Sequence, residues 1–279
     1  MTNYMDIDFS TFEEMTTALH KMAVGTEMAW VDLEFIFNII QKAQPKIIVE
    51  LGVAEGGTTR FLLHLLNQIK ETKLYSFDYR TSCFSDQNNK IGFCAFDYYK
   101  IIKNDVTWNL FTGGMPCKFF EHVLEPVDVC IIDTAHSNPG EYLNILEILP
   151  LMRKNGIIIM HDVALHLKHH HAYTARVAMN TLKGKRLYVE NKKGNDFGII
   201  ANIEGVILAD RLEEMAIPLF LNLTLPWGYD ISRVDYNTVY NWFSQHYTKQ
   251  CIDIFEFSYN FYLNKKIEAL RDKIKGKIK

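Results

Sequence analysis

The sequence predicts a doubly wound α/β fold: a seven-stranded sheet, parallel except for an antiparallel last strand pair, with helices on both faces. Three observations predict it. Short apolar runs alternate with stretches of helical period between residues 45 and 204. The central runs Ile47–Leu51, Val127–Ile132 and Ile157–Met160 are apolar almost throughout, the pattern of strands buried on both faces. The last two runs, Arg186–Glu190 and Phe197–Ala201, are separated by a polar turn, Asn191–Asp196, too short for a crossover helix, so they pair antiparallel.

The elements follow in order. Residues 1–44 read as an N-terminal helical cap of two helices. Ser10 or Thr11 caps the first, with Glu13 or Glu14 in its opening turn. Trp30, Leu33, Ile36, Phe37 and Ile40 fall at helical spacing in the second. The strand Ile47–Leu51 meets Gly52 and Gly56-Gly57, and a helix is predicted over Thr58–Ile69. Leu74–Phe77 is a second strand ending at Asp78. Residues 79–104 are polar and loop-like, with a helix over Phe93–Ile102. Val106–Phe111 is the third strand and Val127–Ile132 the fourth. A helix over Gly140–Met152, the strand Ile157–Met160 and a helix over Ala172–Leu182 come next. Residues 205–279 form a helical, aromatic-rich extension. In its last helix Phe261, Ile267, Leu270, Ile274 and Ile278 recur every three to four residues, the spacing of a docking or dimer face, so a homo-oligomer is expected.

Composition narrows the function classes. The formal net charge is -3, without the basic excess of a nucleic-acid binder, and the lysines gathered after Lys265 read as a solvated helix face and tail. The first residues are acidic and lack an apolar run, and no stretch of eighteen apolar residues occurs. The expectation is a cytoplasmic protein with no signal peptide and no transmembrane segment. The five cysteines are irregularly spaced with no CxxC pair and read as reduced thiols.

The chemistry gathers at strand ends. Glu50-Leu51-Gly52-Val53-Ala54-Glu55-Gly56-Gly57-Thr58-Thr59 follows a strand and opens a helix, so small residues let a ligand approach the backbone and free amides favour its carboxylate or phosphate. Asp78 ends the next strand, where a carboxylate accepts hydrogen bonds from ribose hydroxyls. Ala54 stands where a full GxGxxG would have its second glycine, so the turn alone does not separate S-adenosylmethionine (SAM) from NAD. Asp133 and His136 follow the fourth strand, and His161 and Asp162 the fifth. In a doubly wound sheet all of these collect at the carboxyl edge.

ELGVAEGGTT, then IIDTAHS, then LMRKNGIIIMHDV, in that order over residues 45–203, resemble the class I SAM-dependent methyltransferases. Within that class the chain is similar to the cation-dependent O-methyltransferases, in particular the cephalosporin-hydroxylase-like, rhamnosyl and macrolide-sugar group. The resemblance implies a Rossmann-like SAM-binding core over residues 45–204 and roles for matching residues. Glu50, Gly52 and Gly56 line the amino-acid moiety of SAM, Thr58 meets its carboxylate, Asp78 holds the ribose, and Gly113-Gly114-Met115 lies near the adenine. Asp133 and Asp162 match metal-ligand positions and His136 matches the general base. His161 departs from the acidic residue many such enzymes carry. It is read as a ligand for Mn²⁺, Fe²⁺ or Zn²⁺ rather than for the oxygen-preferring Mg²⁺, as a second base, or as an orienting partner of Asp162.

The expected activity is methyl transfer from SAM to a hydroxyl of a sugar, nucleotide-sugar or natural-product or surface-glycan precursor, a small carbohydrate-like acceptor, with a divalent metal such as Mg²⁺ or Mn²⁺ as a candidate second cofactor. An NAD-dependent dehydrogenase, a non-catalytic nucleotide-binding or assembly protein, and N- or phosphoryl-oxygen methylation stand as alternatives. His166, His169, His170 and His171 read as a polar loop beside the site, because consecutive side chains diverge.

Overall fold

A computed structural model describes residues 17, 28–69, 71–102, 105–170, 172–189, 202–210 and 212–277. Helix α1 (Trp30–Ala43) precedes β1 (Ile47–Leu51), α2 (Gly57–Leu66), β2 (Thr72–Asp78), α3 (Phe93–Tyr99) and β3 (Val106–Thr112). Then come a 3-10 turn (Pro116–His122), β4 (Val127–Ile132), α4 (Gly140–Ile148), β5 (Met152–His161), α5 (Thr174–Thr181), β6 (Gly184–Leu187) and β7 (Ile203–Leu208). Helices α6 (Leu212–Asn222), α7 (Arg233–His246) and α8 (Lys249–Lys277) make up the extension. Among the described residues no helix is long and apolar enough to cross a membrane.

The seven strands form one sheet in the order β3-β2-β1-β4-β5-β7-β6. Strands β1 to β5 run parallel, and β7 runs antiparallel to both β5 and β6. The chain winds outward from β1 through β2 and β3, then returns to lay β4 on the other side of β1. The carboxyl ends of β1 and β4 therefore flank the switch point where doubly wound sheets bind ligands.

Strict alternation along the strands explains the two cores. Val49, Leu51, Cys130, Ile132, Ile158 and Met160 face one side, where they are buried under α4 to α8. Ile48, Val129, Ile131, Ile157 and Ile159 face the other, against α1, α2 and α3. With both faces covered, no position of β4 needs to be polar except Asp128, which takes the backbone N–H groups of Lys46 and Ile47.

The sequence-read elements stand with shifted ends. The helix expected over Gly140–Met152 stops at Ile148, because Pro150 turns the chain into a 3-10 segment, Leu149–Leu151, and β5 starts at Met152. The strand expected over Phe197–Ala201 lies outside the described residues, as do most of the first N-terminal helix and its capping residues. The strand paired with β5 is Ile203–Leu208, so the sheet continues past 204, where the sequence reading ends the core. Its Glu204 is buried because Arg176 pairs with it, and its Gly205 lies opposite Leu187 with little room for a side chain.

Candidate active site

The turn after β1 is shaped by close approach. Gly52 sits at φ +92°, and a Cβ there would lie 1.7 Å from the carbonyl oxygen of Asp133. The Asp133 N–H also donates to the Leu51 carbonyl at 2.9 Å, so the ends of β1 and β4 are locked together. Gly56 caps α2 in the left-handed region and packs against the backbone of Gly92, a structural reason for that glycine beside the ligand-lining role the resemblance implies. Asp78 is spent on the turn itself. Its Oδ2 accepts from the N–H groups of Val53 and Ala54, both at 3.0 Å, and its Oδ1 from Arg80 N at 2.8 Å. It thereby fixes the turn from β2, an arrangement that leaves its remaining lone pairs for a ligand hydroxyl.

Glu50 is buried in β1. Its Oε2 accepts from Thr59 Oγ1 at 2.8 Å and Ser76 Oγ at 2.6 Å, while its Oε1 has no hydrogen-bond partner. Burial pushes its carboxyl up to about 7, against the pull of those two hydroxyls. An unpaired buried oxygen at the switch point is an acceptor awaiting a cationic or N–H-bearing group. Thr58 stands half-buried at the start of α2. Gly113 and Gly114, at φ +86° and +156°, carry the chain from β3 to Met115, which is buried. The Gly113 N–H donates to the Asp78 carbonyl, so this turn borders the same edge.

Beyond β4 and β5 lies a cleft of about 460 Å³ lined by Asp133, His136, His161, Asp162, Leu165, His169 and Ala172. His136 is half-exposed, with Nδ1 3.2 Å from Asp162 Oδ2 and 3.9 Å from Glu141 Oε1. Glu141 is buried, accepts from Thr174 Oγ1 with its Oε2, and its carboxyl is pushed up to about 8 by burial. Asp162 takes a positive φ of 59°, unusual for a residue with a side chain. Burial raises its carboxyl, but the imidazoles of His161 and His136 and the Asn202 amide outweigh that and hold it below the usual carboxylate range.

His161 stands behind this group. Its Nδ1 is 3.3 Å from Asp133 Oδ1 and 3.2 Å from Asp162 Oδ2, and its Nε2 is 3.4 Å from Asp32 Oδ2. Burial alone would lower the ring below 6.5, but those carboxylates push it up to about 12. Both ring nitrogens are engaged by carboxylate oxygens, an arrangement that suits neither a metal ligand nor a base. Of the three roles the sequence leaves for His161, the geometry favours orientation of its carboxylate neighbours. Asp133, His136 and Asp162 instead each offer one ligand atom, all within 4.8 Å of one another. Two carboxylate oxygens and one imidazole nitrogen are a donor set for Mn²⁺, Fe²⁺ or Zn²⁺.

Sequence reasoning does not find Asp32, Glu141 or Asn202. Asp32 sits on the buried side of α1, four residues before the buried Ile36, and a carboxylate on an apolar stripe is the one signal that marks it. Of the histidine cluster, His169 lines the cleft, His166 binds the Val163 carbonyl, and His171 lies outside the described residues. The extension reaches the site from the other side. Asn138 Nδ2 donates to the Leu225 carbonyl at 2.6 Å, Gly228 N to the Asn138 carbonyl at 2.7 Å, and Tyr79 Oη to Asp235 at 2.9 Å.

Residues 49–163 match the family model of a methyltransferase domain, which spans β1 to the end of β5 with Glu50, Asp78, Asp133, His136 and Asp162 inside it. Over these residues the chain is similar to a methyltransferase domain. The solved structures similar to the chain include the O-methyltransferase from Bacillus cereus in complex with S-adenosylhomocysteine (SAH), at 17% identity over 73% of this chain and 92% of the other, with a TM-score of 0.44. They also include the O-methyltransferase TomG from Streptomyces achromogenes, involved in tomaymycin synthesis and solved with SAM, at 12% identity over 73% and 91%, with a TM-score of 0.46. A comparison with curated proteins gives no match. The matched segment excludes Asp32 of α1, Asn202 just before β7 and the loop between α6 and α7 that grips Asn138.

Proposed function

We propose that the chain is an O-methyltransferase that moves the methyl group of SAM to a hydroxyl of a small, carbohydrate-like acceptor, with His136 as the base. The observation that carries this reading is the pairing of His136 Nδ1 with the ionised Asp162 at 3.2 Å on the wall of the cleft. A carboxylate on Nδ1 fixes the ring and leaves Nε2 to take a proton. SAM supplies an activated methyl on a sulfonium, so the chain's own work is to align the acceptor and remove its proton. As the acceptor oxygen bonds to the methyl carbon, the carbon–sulfur bond electrons pass to sulfur, giving SAH, and the hydroxyl proton passes to His136. None of the described lining residues is a lysine or arginine, while Asp133 and Asp162 are acidic. A neutral hydroxyl suits that wall better than a phosphoryl oxygen.

A second reading rests on the cluster of Asp133, His136 and Asp162. There the same residues hold a divalent ion, whose chemistry is to lower the acceptor hydroxyl's pKa and orient it. The deciding experiment is calorimetric titration of SAH into wild type and Asp78→Ala, with EDTA and with Mn²⁺, followed by product mass analysis with SAM and a panel of sugars and nucleotide sugars. The expected result is SAH binding to wild type, weakened about tenfold or more in Asp78→Ala because the turn amides lose a charged acceptor. Wild type that binds no SAH in either condition overturns the proposal. Binding that requires Mn²⁺ selects the second reading.

Glu50 makes the same titration pH-dependent. Its unpaired oxygen suits the cationic amino group of the cofactor, and only the ionised carboxylate attracts that charge. Affinity for SAH is therefore expected to rise as pH increases through about 7 and then level off. Glu50→Gln flattens this dependence. The folding term has the opposite sign: a carboxyl raised from 4.5 to about 7 stabilises the fold most at low pH, and that contribution is lost as pH rises through about 7.

A further inference from the structure

Helix α1 lies outside the matched methyltransferase segment, yet it delivers a buried carboxylate to the cleft's rear wall. Asp32 is 1% exposed among Leu33, Phe35 and Ile36. Burying a carboxylate there is costly unless its oxygens are paired, and both are. Oδ2 faces His161 Nε2 at 3.4 Å, and Oδ1 accepts from the Asn202 N–H at 3.2 Å. Asn202 in turn donates from Nδ2 to Asp162 Oδ1 and accepts from the Ala164 N–H at 2.8 Å with its Oδ1. On the far side of the imidazole, Nδ1 meets Asp133 and Asp162. The contacts close a ring from Asp32 through His161 to Asp162, and back through Asn202 to Asp32.

From this ring we infer that Asp32 is a positioning residue for the methyl-transfer site. It holds the His161 ring and the Asn202 backbone at fixed distances, so that Asp133 and Asp162 present their carboxylates to the cleft in one geometry. Two features make the role specific rather than a matter of packing. Asp162 has a left-handed backbone conformation that persists only where its surroundings over-determine it, and the ring supplies contacts on both of its carboxylate oxygens. An imidazole between carboxylates has one rotational setting that satisfies both nitrogens, and without Asp32 the ring is no longer pinned at Nε2. Asp32 touches neither acceptor nor cofactor in this scheme. It acts through His161 and Asn202, and the inference rests on the proposed function only in naming the reaction it serves.

The test uses the full chain carrying Asp32→Asn, with Leu33→Ala as the control. Asparagine keeps one acceptor oxygen and the shape, but it cannot accept from both His161 Nε2 and the Asn202 N–H in the same way. Leu33→Ala, fully buried in the same turn, lowers thermal stability without touching the ring. The expected result for Asp32→Asn is a fall in kcat of about 10- to 100-fold with KM for the acceptor and SAH affinity within about twofold of wild type. Leu33→Ala keeps kcat while its melting temperature drops. The second readout is independent of turnover: the imidazole N–H protons of His161, assigned by nitrogen-15 NMR with His161→Gln, are protected downfield signals in wild type, and the Nε2 proton is lost or shifted in Asp32→Asn. A wild type with no turnover on any acceptor sinks the proposed function alone, and the NMR arm still decides Asp32. An unchanged His161 spectrum, or an Asp32→Asn kcat within about twofold of wild type, overturns the inference.

Discussion

His136→Ala is expected to lower kcat by about 10²- to 10⁴-fold, equivalent to about 3–5 kcal/mol of transition-state stabilisation, with SAH binding retained. The size follows from the task. The proposed acceptor, a sugar hydroxyl, holds its proton tightly at neutral pH, so methyl transfer to it waits on a group placed to accept that proton. His136 is the half-exposed imidazole on the cleft wall held by a carboxylate, at 3.2 Å from Asp162. Glu141 is the other acid near it, 3.9 Å away, but burial keeps that carboxyl neutral up to about 8 and makes it a poor substitute base at neutral pH. Mn²⁺ affinity separates the two readings of the same histidine. A base leaves Mn²⁺ binding unaffected on removal, whereas a ligand in the cluster with Asp133 and Asp162 takes the ion with it. Steady-state kinetics on the methylated product and Mn²⁺ titration of the same preparation provide both numbers, and a His136→Ala variant with wild-type kcat rejects both roles.

The sheet and much of the candidate site were legible in the sequence for one physical reason. A parallel sheet covered on both faces writes continuous apolar runs, and its topology places strand-end residues at one edge, so Glu50, Asp78, Asp133 and Asp162 could be gathered without knowing a single distance. What escaped the sequence depends on contacts across long intervals. Asp32 meets His161 across 129 positions and Asn202 across 170, and no local period encodes either pairing. Glu141 is hidden for a different reason: it opens a helix where acidic residues are favoured anyway, so a buried carboxyl aimed at His136 looks like an ordinary first-turn glutamate. Strand β7 is harder to read than Ile157–Met160 because Glu204 and Gly205 interrupt its apolar pattern, and only Arg176, brought in by α5, makes the buried glutamate tolerable. His161 marks the limit of spacing arguments. Its position beside Asp162 is plain, but the partners of its ring nitrogens, which bear on ligand, base or positioning roles, are Asp133 and Asp162 at Nδ1 and the distant Asp32 of α1 at Nε2.

Gly52→Ala is expected to damage fold and function together. A methyl at residue 52 would point 1.7 Å from the Asp133 carbonyl oxygen, 2.7 Å from its carbon and 3.2 Å from the Thr134 methyl. None of the first two is the end of a flexible side chain, so the backbone of β1 or β4 must move. Residue 52 also holds a φ of +92°, where an L-residue carries strain of about 1–3 kcal/mol. Overpacking of a rigid contact adds about 1–3 kcal/mol more. The sum, about 2–6 kcal/mol, corresponds to a melting temperature lower by about 5–20 °C for a chain of this size. The functional loss comes from the direction of the displacement. Pushing the Asp133 carbonyl away breaks the residue's N–H bond to Leu51 and carries the Asp133 carboxylate off His161, so the turn proposed for the cofactor and the wall proposed for the acceptor are disturbed by one methyl group. Thermal denaturation and SAH calorimetry on the variant read the two effects. A melting temperature within about 2 °C of wild type, with SAH affinity intact, shows that β1 and β4 do not approach as closely as the turn requires.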